Sequence, residues 1–274
     1  MRLTVDYRTF YAFGEPQRRV IQLLRVTPSS FEGQAVIDWR IDVDRDARLK
    51  TRVDGYGNVY TMLYVDGPVD AITLSVRGEV LTEDRAGLVL GAPEPLAPGL
   101  FLRATPQTRP DAAITAFARE VAGLGDDRLG RVHALMASLN ARIAFDTVLT
   151  DPTRGAAAAF AEGRGVCQDH AHIFCAVARL LGYPARYVSG HLLRDGGTAV
   201  QPAGHAWAEA WVEDYGWIGF DVTNNVCPTD AYIRVAVGLD YHDAAPISGA
   251  RIGGGGEAMH VEVAVAQAAA SRQD

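Results

Sequence analysis

A chain of 274 residues, 48% hydrophobic and 22% charged, has enough apolar side chains for a real core and room for one large domain or two ordinary ones. Its formal charge of -7 and lack of a dense Lys/Arg patch argue against a nucleic-acid partner. MRLTVDYRTF at the start lacks a signal-peptide core, no apolar run is long enough to span a membrane, and Cys167, Cys175 and Cys227 are too sparse for a disulfide framework, so the expectation is a cytoplasmic protein with no membrane partner.

The first 85 or so residues read as strands. Ile37, Trp39, Ile41 and Val43 alternate with Asp38, Arg40 and Asp42, the pattern of a strand with one wet face. YRTFYAF, VIQLLRV, VYTMLYV and AITLSVRGEVLT are similar runs, separated by turn residues such as Thr27-Pro28-Ser29-Ser30 and Asp54-Gly55-Tyr56-Gly57-Asn58. Residues 1–90 are therefore read as a β-sandwich-like domain. Pro93, Pro95, Pro98, Pro106 and Pro110 mark 91–110 as a linker.

Helices and strands follow over 111–274, making the whole α+β. Asp111 precedes an alanine-rich helix that ends at Gly123. From Asp126 onward, Leu129, Val132, Met136, Leu139 and Ile143 recur at helical spacing, with His133 an ordinary helix residue beside them. Cys167 opens a helix through IFCAVARLLG that stops at Gly182, with Pro184 beyond; it is apolar on almost every face and should be buried. ARYVSGHLL, HAWAEAWVE and GWIGFDVT read as strands. The end offers a glycine run, Gly253 to Gly256, one strand in MHVEVAVAQ and a frayed polar tail.

Three stretches carry the chemistry: GRGVCQDHAH, GHAWAEAW and GWIGFDVTN. They supply a thiol, an imidazole and a carboxylate, the set that cysteine-based acyl chemistry needs as nucleophile, base and orienter. A thiol at a helix start meets the positive end of the helix dipole and unpaired N–H groups, which favour the thiolate and can hold an oxyanion. Cys175, among Phe174, Ala176 and Val177, reads instead as an inert core residue, and Cys227 has no imidazole nearby. His205, Trp207, Glu209 and Trp211 share one face of their strand, but Glu209 is four residues, roughly 13 Å, from His205 and too far to orient it. Glu213-Asp214-Tyr215-Gly216 reads as a hairpin turn that carries Asp221 back across from 205–208, within reach of the imidazole.

Cys167, Asp169, His170 and His172 are a competing metal-ligand reading, disfavoured because they fall on different helix faces and no second pair has zinc spacing. His170 and His172 are then supporting or packing residues, and His191, His242 and His260 structural or surface ones. No cofactor is expected, and no D-x-D-x-D-G loop suggests calcium. Trp207, Trp211 and Trp217 read equally well as packing residues or as walls of a substrate pocket.

At these residues the sequence resembles the bacterial and archaeal transglutaminase-like family, a branch of the papain-like cysteine enzymes, through GRGVCQDHAHIFCAVARLLGYPARYVSG, GHAWAEAW and GWIGFDVTN. The first 85 or so residues, with the DGYGN turn, are similar to the β-domain that often precedes this core, and the ending GLDYHDAAPISGARIGGGGEAMHVEVAV to its usual close. The resemblance implies a helix packed on antiparallel sheet, with Cys167 as nucleophile, His205 as general base and Asp221 as orienter. It also implies a peptide or protein amide substrate and a thioacyl-enzyme formed from its peptide or glutaminyl carboxamide, whose acyl group water, an amine or another thiol then takes, with hydrolysis favoured over amine transfer. A non-catalytic binding protein on the same scaffold is the alternative of a different class, disfavoured because all three residues are present. The sequence departs from the family pattern at Val222, where proline is frequent, and at Phe145 and His191, where tyrosine is.

Overall fold

The computed structural model describes residues 1–125, 127–147, 151, 153–194 and 200–268. Asp126 and the polar tail after residue 268 lie outside the described residues. The fold is α+β, with two antiparallel sheets.

The first sheet is built on two long strands, β1 (Arg2–Leu24) and β4 (Val59–Thr82), paired along nearly their whole length. YRTFYAF and VIQLLRV, read as separate strands, are the two halves of β1; VYTMLYV and AITLSVRGEVLT are the halves of β4. The turn-like residues between them mark register shifts in the pairing after Ala12 and around Gln17 rather than chain reversals. β2 (Gln34–Val43) borders the second half of β4, and β3 (Arg48–Val53) the first half. Leu3, Val5 and Ile72 from one set of halves share a cluster with Val20, Leu24 and Leu63 from the other, so the folded-over sheet encloses one core. Ile37 departs from its expected inward position: the β2–β4 register shifts between Val36 and Asp38, and Ile37 turns outward, 53% exposed.

The second sheet begins with β5 (Leu88–Val89). A 3-10 turn over Pro98–Leu102 follows and buries Phe101 edge-on against Trp217, at 5.2 Å between ring centroids. Then come α1 (Ala112–Ala122), α2 (Arg128–Arg142), β6 (Ala144–Phe145), α3 (Ala156–Glu162), β7 (Arg164–Gly165) and α4 (Cys167–Leu180). Asp111 and Asp127 cap α1 and α2, accepting from Ile114 N and Gly130 N, which satisfies amides the helix cannot. β8 (Ala185–Leu192), β9 (His205–Val212), β10 (Gly216–Phe220) and β11 (Tyr232–Gly238) complete a sheet of order β11-β8-β9-β10-β5.

α4 is the central element of this core, with every residue from Asp169 to Arg179 buried. Ala206, Ala208, Ala210 and Val212 give β9 a flat small-residue face in the same cluster as α4. Arg179 ends the helix as a hub: it donates to the carbonyls of Phe101, Ala185 and Leu239 and to Thr108 Oγ1 at 2.7–3.1 Å. The proline-rich stretch is thereby fastened to the core.

After α5 (Tyr241–Ala244), the chain returns to the first sheet. β12 (Ile247–Ile252) and β13 (Glu257–Gln267) both pair antiparallel with β1. The MHVEVAVAQ strand, read as the end of the core, is therefore the partner of the first strand of the chain. The two halves of the molecule meet along β11, whose Ile233 and Val235 join the first core. β11 is an edge strand, and two side-chain amides cover its open side. Gln34 pairs with both N–H and C=O of Arg234, and Asn58 of the DGYGN turn does the same at Val237, all at 2.7–2.8 Å. Tyr56 of that turn donates to Asp243 Oδ2 at 2.6 Å. Among the described residues, no helix is long and apolar enough to cross a membrane.

Candidate active site

Cys167 is the first residue of α4 and is half-buried. The loop that delivers it is held from below. Asp169 Oδ2 accepts from Val166 N at 2.9 Å, one half of a capping box that an apolar valine cannot reciprocate. Arg154, its side chain largely covered, approaches Asp169 at 3.6 Å and donates to the carbonyl of Arg164 at 3.1 Å. Gly165 admits no other residue, because a Cβ there would lie 2.6 Å from Asp169 Oδ2. β6 runs parallel to β7, with Phe145 opposite Gly165. Phe145 thus stands beside the cysteine loop, 44% exposed, its ring 6.3 Å from that of His170.

His205 opens β9. In the hairpin, Phe220 stands opposite Ala208, so Asp221 follows one step on, diagonally across from His205. Asp214 and Gly216 both adopt positive φ in the turn between the strands. His205 Nε2 lies 2.6 Å from Asp221 Oδ2, with both side chains buried. Asp221 is held further by Tyr232 Oη at 2.8 Å and Asn224 Nδ2 at 2.6 Å, both donating to Oδ2. Burial would raise this carboxyl's pKa, but the bonds from His205, Tyr232 and Asn224 together outweigh it and lower it.

The other ring nitrogen of His205, Nδ1, is buried and has no well-formed hydrogen bond. The group it answers to is Cys167. Burial alone would push the imidazole down, yet hydrogen bonding with Asp221 and Cys167, and the charges of both, raise its pKa to about 9. An imidazole with a buried carboxylate on one nitrogen and a sulfur beside the other can hold a proton at neutral pH and pass it across a small gap.

The remaining candidates separate cleanly. Burial pushes the Cys175 and Cys227 thiols up to about 11, which disfavours the thiolate at both. His170 Nδ1 bonds Thr223 Oγ1 at 2.9 Å, strapping α4 to the loop after Asp221, and burial lowers its pKa to about 4. His172 Nε2 accepts from Tyr241 N at 3.0 Å. With Asp169 and His172 each committed to a backbone amide, Cys167, Asp169, His170 and His172 do not converge as metal ligands. His191 is buried against Tyr7 and Trp39, whereas His242 and His260 are exposed. Glu209 sits in a cage: Arg186 Nε at 2.6 Å and Arg234 Nε at 2.7 Å neutralise it. Trp207 and Trp217 are buried packing residues, and Trp211 meets Trp217 edge-on. Tyr232 and Asn224 were not among the residues singled out from the sequence. Asn224 had a signal, an amide three residues beyond an acid; Tyr232 had none, because only the fold brings it there.

Residues 3–81 match the family model described as the bacterial transglutaminase-like N-terminal region, and residues 115–222 that of the transglutaminase-like superfamily. The uncharacterized protein ML0607 of Mycobacterium leprae is 31% identical over 281 residues, covering 98% of this chain and 99% of that protein. The protein-glutamine gamma-glutamyltransferase of Pseudomonas aeruginosa is 32% identical over 135 residues, 42% of this chain and 19% of that protein. In fold, the chain is similar to the crystal structure of a candidate cysteine protease from Cytophaga hutchinsonii, with a TM-score of 0.75, 22% identity, and 97% and 90% of the two chains covered.

Proposed function

Because the chain belongs to the transglutaminase-like superfamily and carries its bacterial N-terminal region, we propose that it is a cysteine enzyme acting on a peptide or glutaminyl carboxamide through a thioacyl intermediate. The observation that carries this reading is His205, bonded to a buried carboxylate through Nε2 and raised to a pKa of about 9 with Cys167 on its other side. In the proposed reaction the Cys167 sulfur, its proton taken by His205, attacks the amide carbon. The oxyanion is met by first-turn amides of α4, which a helix leaves without internal partners. The imidazolium then gives its proton to the departing nitrogen as the C–N bond breaks and the thioester remains. Asp221 keeps the ring in the tautomer and orientation that both transfers need.

The thioester is then resolved by an acceptor that His205 deprotonates. We favour water, which gives the free acid and a peptidase or amidase, because it is the most abundant acceptor unless a site excludes it. Transfer to an amine is the second reading, supported by the partial similarity to the Pseudomonas aeruginosa gamma-glutamyltransferase. The three free cysteines support a reducing, cytoplasmic location, which fractionation of cells carrying the native chain would test.

Turnover of peptide and glutaminyl-amide libraries, with and without an added primary amine, separates the two acceptors. Ammonia or amine release with free acid supports hydrolysis, and incorporation of the added amine supports transfer. Intact-mass detection of an acyl adduct on Cys167 tests the shared first step. Failure to form that adduct with any amide would overturn the reading.

A further inference from the structure

The far end of the first sheet carries a cavity that the proposed chemistry does not use. It has a volume of about 310 Å³ and opens between β12 and β13, where β1 bends. That volume falls at the lower end of the range for small-molecule sites. Its walls are Tyr11, Phe13 and Val20 of β1, with Met259 of β13 at the lip, 61% exposed.

One polar side chain is built into its floor. Gln22 is only 6% exposed, and its Oε1 is buried without a hydrogen-bond partner. A buried acceptor left unpaired forfeits its hydration with nothing in return, so such a group ordinarily has a partner. Across the strand pair Gln22 faces Gly249. A Cβ at Gly249 would lie 2.6 Å from the Ile21 carbonyl oxygen and 3.0 Å from Gln22 Cγ. Only glycine fits there, because the Ile21 carbonyl and the stem of Gln22 already fill the place a side chain would take, which holds the Gln22 amide against the strand pair at the cavity wall.

The charges at the rim cancel. Arg251 Nε pairs with Glu257 at 3.3 Å, and its other nitrogens donate to Gln17 Oε1 and to the carbonyls of Gly254 and Gly255. No net charge is offered to an occupant. A carboxamide presents two N–H donors beside a carbonyl acceptor, the pattern that another carboxamide matches, and the aromatic and aliphatic walls favour an apolar body. From these observations we infer that the N-terminal domain holds a binding site for a small uncharged carboxamide carrying an apolar chain, separate from Cys167 and independent of the proposed reaction.

The full-length chain with 13C-methyl methionine tests this directly, because it contains only four methionines. Met259 stands at the lip of the cavity, while Met136 is in the other core and serves as the internal control. Titration with hexanamide should shift the Met259 methyl signal saturably and leave Met136 unmoved. Hexanoate and hexylamine, which match the chain but bring a charge, should bind at least about tenfold more weakly. Gln22→Leu should weaken hexanamide about tenfold by removing the amide pair while keeping the volume. If that variant does not fold, Gln22→Met carries the same test with an unbranched chain. Absence of a saturable Met259 shift, or equal affinity after Gln22 is replaced, would mean that the cavity holds water only and would overturn the inference.

Discussion

Two buried carboxylates, one on β9 and one just past the end of β10, have opposite fates. Glu209 sits between two guanidinium groups, and a third bond from Arg186 to Glu94 at 2.8 Å extends the cluster. Burial would raise its pKa, but Arg186 and Arg234 outweigh that and take it to about 2. Its partners are permanent cations, so the cluster has no proton to give or take. Asp221 is held by Tyr232 and Asn224, which are neutral, and its one ionisable partner is an imidazole with a second nitrogen left over. Deep burial and a perturbed pKa are common to both. A titratable base with one face uncommitted belongs only to the second, and that distinguishes a site from a structural ion cluster.

The largest loss is expected at the thiol. Cys167→Ala should abolish acyl-enzyme formation and turnover, since burial disfavours the thiolate at both Cys175 and Cys227. His205→Ala should lower turnover by roughly 10³-fold or more, and the double variant should be no worse, because the pair acts as a unit. Brief iodoacetamide labelling near neutral pH, read by mass spectrometry, should modify Cys167 first. Preferential labelling of Cys227 would count against the assignment.

At the carboxylates the expected losses differ in kind. Glu209→Ala leaves the largely buried Arg234 guanidinium without its anion and the buried Arg186 with only Glu94, and should cost about 3–5 kcal/mol of stability, read as a fall in melting temperature. The folded fraction should keep its rate per molecule. Asp221→Ala should lower turnover by one to two orders of magnitude, about 1.4 kcal/mol per factor of ten, in a protein that still melts cooperatively. A fully active Asp221→Ala beside a folded but dead Glu209→Ala would exchange their roles.

The two kinds of buried histidine should also answer pH with opposite signs. Burial lowers His170 and His191 from 6.5 to about 4 and His172 to about 3. Below pH 6.5 the unfolded chain takes up protons that these sites refuse, so their contribution, whole above 6.5, is lost as pH falls toward 4. His205, raised to about 9, works the other way: its contribution is complete below 6.5 and is lost as pH rises through 9. Thermal melts across pH should show both slopes. His191→Tyr should flatten the acid one, by up to about 3 kcal/mol at pH 4 from a 2.5-unit difference, while leaving the alkaline one alone. An unchanged acid slope would mean that His191 meets water in the fold.

Much of this site was legible because each member lies in a short, self-sufficient context. Cys167 follows glycines at a helix start, and the Glu213–Gly216 turn sets a register that can be counted to Asp221 without knowing the fold. What stayed hidden depends on distant pairing. Asp66-Gly67-Pro68 and Glu15-Pro16 look like strand ends, yet β1 and β4 continue through them because each supports the other. β3, RLKTRV, alternates Arg48, Lys50 and Arg52 with Leu49, Thr51 and Val53, but over only six residues and with both faces exposed, so its short period carries no sign of a buried face. β11 and β12 went unread because their partners are far away in the chain, and nothing local showed that β12 and β13 would return to β1. The rest of the fold class follows from local pattern alone: α4 is apolar all round and β9 has a small-residue face to receive it.

Tyr232 is the member of the site whose contribution only the fold explains, and its removal should have the smallest effect. Its hydroxyl donates to Asp221 Oδ2, the same oxygen that binds His205 Nε2. In Tyr232→Phe, Asn224 still holds the carboxylate through Nδ2, so turnover should fall by no more than about tenfold. The loss of one competing donor also leaves more negative charge on Oδ2 for the imidazolium. The pKa of His205 should therefore rise, and the alkaline limb of kcat/KM, set by the proton His205 gives to the departing nitrogen, should move upward from about 9. A purely structural tyrosine would lower the melting temperature and leave that limb where it was. If Tyr232→Phe changes neither the rate nor the limb, Asn224 alone orients Asp221, and the tyrosine serves only to pack against Trp207, whose ring it meets edge-on at 5.5 Å.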